Sequence, residues 1–331
     1  MTNLETAPQE LLCRDEEREG PVQVLAARDV PLGGVRAMTV RRTLPQRARS
    51  FIGAWCFLDH YGPDDVAVTG GMRVPPHPHT GLQTVSWLFS GEVEHRDSLG
   101  THAVVRPGEL NLMTAGHGIS HSEDSTPATR ILHGVQLWTV LPERHRGTAP
   151  AFRHHVPPVV PLEDGMLRVF LGELAGERSP VGTFSPLLGA EVVLGGGAWH
   201  TFTVDRTFEH GVLVDTGSVE VQGVRAERGE LVYVPPGTGS LTLRATDGED
   251  LRVLLLGGRP LGEQIVMWWN FIGRDHAEVA AARAGWQAEI GADDAPGHGP
   301  QGSSRFGVVT GHAHPPLPAP PMPQQRLKPR G

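Results

Sequence analysis

The chain has 331 residues, is 39% hydrophobic, carries a formal net charge of -8 and contains two cysteines, Cys13 and Cys56. Its length allows two domains of ordinary size, each with its own core. The charge argues against direct nucleic-acid binding, which depends on neutralising phosphates; two cysteines give neither a disulfide framework nor a thiolate zinc site; and no run approaches the ~20 apolar residues of a membrane span.

The first residues, MTNLETAPQELLCRDEEREG, lack a basic stretch followed by an apolar one, so no signal peptide is read and a cytoplasmic location is expected. The first strand-like run is VQVLAA (22–27). The densest basic stretch, RAMTVRRTLPQRARS (36–50), lies in a strand and the turn after it and reads as a solvated strand face. HPHTGLQT (77–84) follows Pro75-Pro76 and sets two imidazoles at period-2 spacing. Further β-like runs are LQTVSWLFSG (82–91), LHGVQLWTVL (132–141), LRVFLGEL (167–174), GVLVDTGSVEVQG (211–223), ELVYVPP (230–236) and LRVLLLGG (251–258). Glycine and proline punctuate them throughout, the pattern of an all-β sandwich or barrel. A proline-containing stretch at 154–165 looks like a crossing between domains.

One helix is expected. Asp275 and Glu278 form a D-x-x-E capping box, Ala277, Ala280, Ala281, Ala284 and Ala288 keep helical spacing, and Gly291 closes it. A flexible linker (291–304) and an extended proline-rich tail follow. His312 and His314 on the tail form an H-x-H without a third ligand in sight. The halves echo each other: FSGEVEHRD with DTGSVEVQG, and RPGELNLMTAGHG with ERGELVYVPPGTG. The molecule is therefore expected to hold two copies of one β-domain, over 1–150 and 151–292, with 293–331 as linker and tail.

Residues i and i+2 of a strand share a face, so His77 and His79 aim together. Pro78 donates no ladder hydrogen bond and suits an edge or a strand's first residue. Alone, the pair is equally readable as an exposed H-x-H. TAGHGISHSE (114–123) repeats the spacing with His121 and Glu123. If the two strands are neighbours inside a barrel, three imidazoles and a carboxylate converge. That set suits a first-row divalent metal with open positions, unlike a closed structural zinc site. His95, His102, His117 and His133 lie in the same half but are not expected as ligands, with His95 and His102 at a hairpin tip and facing solvent. Trp87, Phe89, Leu112 and Met113 sit on or beside the relevant strands; alternation sends half of them inward. No H-x-H occurs between 160 and 270, where the repeat offsets place Thr203, Asp205, Thr242 and Arg244, so the second domain is expected to hold no metal.

HPHTGLQTVSWLFSGEVEHRDSLG, RPGELNLMTAGHGISHSE, FLDHYGP (57–63), MWWNFIGRDHAEVAAARAGWQ and GHAHPPLPAPP together resemble the pirin family of the cupin superfamily. The resemblance covers most of the chain and is strongest over 51–142. It implies two cupin jelly-roll β-barrels with a short C-terminal helix. It also implies one divalent metal per chain in the first barrel, Fe(II) first, with Mn, Ni, Cu, Co or Zn also accepted by such ligands. Its ligands would be His77, His79, His121 and Glu123. The general cupin motif would put a carboxylate at 83, where this chain has Gln83; Gln83 is then either an outer partner of the site or a plain strand residue. Some members cleave quercetin with dioxygen and others are regulators that bind transcription factors or metabolic enzymes. The expected partners are thus a flavonol or similar aromatic enol with dioxygen, Glu123 taking the enol proton, or alternatively a protein.

Overall fold

Short runs of alternating burial, such as Val93–Asp97 with 93, 95 and 97 inside, build the chain from antiparallel strands that each present one face to a core. We describe a computed structural model covering residues 21–32, 38–292 and 304–329. A seven-stranded sheet runs in the order Ala151–His155, Leu110–Thr114, Leu82–Ser90, Ile131–Val140, Trp55–Asp65, Met38–Leu44, Arg28–Leu32. It faces a four-stranded sheet ordered Arg73–His79, Ile119–Ser125, Val93–Asp97, His102–Val105. The second half repeats the scheme. Seven strands, from Gln23–Leu25 through Leu231–Val234, Glu209–Thr216, Leu251–Gly258, Leu187–Leu194 and Gly165–Leu171 to Val160–Leu162, face four. The duplication is therefore real at the level of topology, with each terminal connection exchanged: Gln23–Leu25 pairs in the second barrel and Ala151–His155 in the first.

The two barrels have different interiors. The second is filled by aliphatic side chains, among them Val192, Val212, Val214, Val232, Leu243 and Val253. The first keeps a polar centre, described below, between two apolar patches around Tyr61 and Trp138. A third apolar layer lies where the seven-stranded sheets meet back to back. Trp87 stacks on Phe170 there at 4.6 Å, and Trp55 Nε1 donates to the carbonyls of Leu188 and Gly257. Trp87 and Leu112 thus serve the contact between barrels, with Phe89 packed against it, and of the four apolar residues singled out by strand position only Met113 joins the cluster around Trp138. The basic stretch also differs from its expected solvated role: Arg42 is buried and grips Asp59 through both oxygens, at 2.7 and 2.8 Å, because strand alternation turns it inward.

The helix spans His276–Ile290. Asp275 accepts from the Glu278 amide at its N-terminus, and Gly291 closes it with φ of 66°. The box is only half formed, since Glu278 accepts from the Arg274 amide rather than from Asp275. Asp275→Ala should lower unfolding stability by about 1 kcal/mol, measured by urea denaturation. The tail has no helix or strand over 304–329 but is docked: Phe306 packs on Trp286, Arg283 and Trp286 donate to the carbonyls of Pro320 and Leu317, and the Leu317 amide donates to Pro76. It thereby lies against the edge strand that carries His77. His312 bonds Asp124 at 2.8 Å rather than standing alone. Residues 293–303 of the expected linker lie outside the described residues.

Candidate metal centre

Arg73–His79 is the outer strand of its sheet, which is why Pro75, Pro76 and Pro78 are tolerated in it. It ends at Thr80-Gly81. Gly81 turns the chain with φ of 72°, and a Cβ there would lie 2.5 Å from the Ile272 carbonyl oxygen, so a side chain is excluded. Its neighbour, Ile119–Ser125, pairs His121 with His77; a register shift over Pro75-Pro76 then sets Glu123 opposite Val74. On its other side the same strand pairs His121 with Asp97 and Glu123 with His95.

The three histidines converge. His77 Nε2 lies 3.1 Å from His79 Nε2, which lies 3.1 Å from His121 Nε2, and all three rings are completely buried. Burial pushes His79 down to about 3 and His77 and His121 well below the usual imidazole range, so all are neutral. His77 Nδ1 faces the Pro75 carbonyl at 2.9 Å and His79 Nδ1 the Asn270 carbonyl at 3.2 Å. A carbonyl can only accept, so the proton of each neutral ring sits on Nδ1. Two bare Nε2 lone pairs then face each other at 3.1 Å in a buried site. Such a contact is repulsive unless a cation lies between them, and the residues present fit a metal on that ground.

Glu123 is 2% exposed, and its carboxylate groups with His121 and His95 rather than with all three of the converging rings. Ser86 Oγ stands 3.2 Å from Glu123 Oε1 and 2.9 Å from Gln136 Oε1. Gln83 bonds Thr114 and Thr139, away from these groups. His102 points to solvent, as expected, and His117 is exposed as well. His95 does not: it is 3% exposed, and its Nδ1 lies 3.4 Å from His121 Nδ1. The hairpin turn begins at Ser98, later than the histidine spacing suggests, so His95 remains within a strand. The signal was the H-x-D of EHRDS: at period 2, Asp97 shares the inward face, and its Oδ2 lies 3.3 Å from His95 Nε2. Asp97 Oδ1 accepts the amides of Leu99 and Thr101, which fixes the carboxylate. The proton order that satisfies this line runs from His121 Nδ1–H to His95 Nδ1, and from His95 Nε2–H to Asp97. It leaves the His121 Nε2 lone pair aimed at the other two.

His133 is the other histidine that spacing left unplaced. With His60 it flanks Asp215 of the second barrel, at 2.6 and 2.7 Å from Oδ1, while Arg252 holds Oδ2 at 2.6 Å. His60, His133 and Asp215 are buried where the barrels meet.

The pirin pattern matches residues 35–139, and the pattern of the pirin C-terminal cupin domain matches 189–290. This chain belongs to the pirin family. It is 44% identical, over 93% of both chains, to a Pseudomonas aeruginosa protein named "Putative quercetin 2,3-dioxygenase", and 36% identical to a pirin-like protein of Caulobacter vibrioides over 75% of this chain and 88% of that one. Among solved structures, the crystal structure of a quercetin 2,3-dioxygenase from Acinetobacter baumannii superimposes with a TM-score of 0.83 at 34% identity, covering 93% of this chain and 98% of that chain. The two pirin cupin barrels, the buried histidine centre and the short C-terminal helix are thus properties of this chain. No helix among the described residues is long and apolar enough to cross a membrane.

Proposed function

We propose that this pirin is an Fe(II)-dependent dioxygenase acting on quercetin-type flavonols, with the metal held by His77, His79, His121 and Glu123. The observation that carries the metal assignment is the facing of bare imidazole nitrogens at 3.1 Å, fixed by backbone carbonyls on the far side of the His77 and His79 rings. The substrate class rests on the likeness to relatives named for quercetin 2,3-dioxygenase. The metal would supply Lewis-acid activation of an enol hydroxyl and the means of using dioxygen. Glu123 would take the enol proton. Ser86 Oγ stands beside both that carboxylate and Gln136 Oε1 and can donate its one proton to either. Two buried N–H groups near the centre, Gln136 Nε2 and Trp138 Nε1, have no hydrogen-bond partner among the described residues; Trp138 also packs its ring 5.2 Å from His79. They suit the oxygens of a bound substrate. Gln136→Ala should raise KM for the flavonol by up to about ten-fold, the worth of one neutral hydrogen bond, with metal content unchanged.

A second reading has support from burial. The four proposed ligand side chains are 0–2% exposed, so a flat three-ring substrate reaches them only if part of the cover moves. A closed centre also suits a metal- or redox-sensing protein that binds a transcription factor or metabolic enzyme without turnover. Anaerobic addition of quercetin to Fe(II)-loaded protein separates the two. A shift of the flavonol absorption band, absent without metal, is expected of the enzyme; an unshifted band in protein holding one metal per chain favours the regulator.

A further inference from the structure

The second barrel carries its own anomaly. Strand Glu209–Thr216 alternates between its two surroundings: Val212 and Val214 enter the aliphatic interior, while Glu209 and Asp215 face the first barrel, Glu209 accepting the Gly53 amide. His210 is therefore on the inward set, near the strand's start. It is completely buried, and neither ring nitrogen has a hydrogen-bond partner among the described residues. Burial pushes it down to about 4, so at neutral pH it presents one N–H donor and one bare acceptor. A buried polar group left so costs stability. Space has been made for it all the same: a Cβ on Gly257 would stand 3.1 Å from His210 Cδ2.

His210 is also among the residues around a cavity of about 970 Å³ whose walls include Leu188, Phe202, Phe208 and His200, and a ligand there reaches its closed-off ring nitrogens only when the ring turns. The rings of His200 and Phe202 are 4.5 Å apart, and those of Phe208 and His210 6.2 Å. Size, aromatic walls and a few convergent polar groups are what small-molecule sites have in common. Charges of both signs, Arg178 and Asp205, line the same cavity, so no ionic class is selected. A hydroxyl group both donates and accepts, and so answers a neutral imidazole.

We propose that the second barrel holds a distinct small-molecule site, in which His210 hydrogen-bonds the hydroxyl of an uncharged hydroxylated aromatic compound packed against Phe202 and Phe208. The site shares no residue with the histidine centre of the first barrel.

Calorimetric titration of the full-length chain with 2-naphthol tests this. One equivalent should bind per chain, in the wild type and equally in His79→Ala, which leaves the second barrel untouched. 2-Methylnaphthalene, without the hydroxyl, should bind at least ten-fold more weakly. His210→Phe should weaken 2-naphthol binding at least ten-fold, and Phe208→Ala should weaken it while leaving the fold intact by circular dichroism. Should His210→Phe not fold, Phe208→Ala decides alone. Absence of binding up to the solubility limit, equal binding of both probes, or loss in His79→Ala with retention in the second-barrel variants would overturn the proposal.

Discussion

His79→Ala is expected to lose the metal altogether, with affinity falling more than about a hundred-fold, because the central nitrogen of the three is removed. The fold should survive, since the site is polar and the apolar clusters on either side of it do not include His79. His95→Ala should behave differently. His95 orients His121 from behind, and such outer partners are typically worth ten- to hundred-fold in metal affinity. Metal titration followed by elemental analysis distinguishes the graded loss at 95 from the complete loss at 79. Equal metal content in all three proteins would mean that the histidine centre is not the metal site.

Asp215→Ala should be the most destabilising of the simple polar substitutions. It takes the common partner from His60, His133 and Arg252 at the boundary of the barrels, and breaking a buried charge network in this way costs about 3–5 kcal/mol. Urea denaturation measures it. The same group makes the wild type acid-sensitive. Burial opposes ionisation of Asp215, but hydrogen bonds from His133 and His60 outweigh it and hold the carboxyl below the usual range. Its contribution is present above the unfolded carboxylate range and lost as pH falls through the folded value. Burial pushes His60 down to about 4. The unfolded chain, with His near 6.5, therefore binds more protons between those values, and stability falls as pH drops across the window. From pH 7 to pH 5, His60 alone should remove about 2 kcal/mol. A stability that rises on acidification would contradict this account.

What could be read from the sequence was what depends on one strand at a time. Period 2 in HPH and HSE puts each pair on one face, proline at 78 points to an edge, and both hold in the barrel. Asp275 and Gly291 mark the helix ends because capping is local. What could not be read depends on how strands and barrels meet. His95 looked like a tip residue until the turn was located three positions later, at Ser98, and its pairing with Glu123 placed it inside. His60, His133 and Asp215 come from three strands and two barrels, and no spacing in the chain links them. Trp87 and Leu112 were assignable to a face only once the docking of the two sheets was known. Glu278 shows the same limit on a small scale: the capping signal was there, but the carboxylate was drawn to Arg274 and Arg146 by tertiary neighbours.

Dioxygen uptake by anaerobically prepared Fe(II)-loaded protein on adding quercetin, beside Glu123→Gln, tests the central claim most directly. Uptake that requires the flavonol and collapses in Glu123→Gln is the predicted result. No uptake by protein shown to hold one iron per chain would contradict the dioxygenase assignment and leave the metal with a regulatory role.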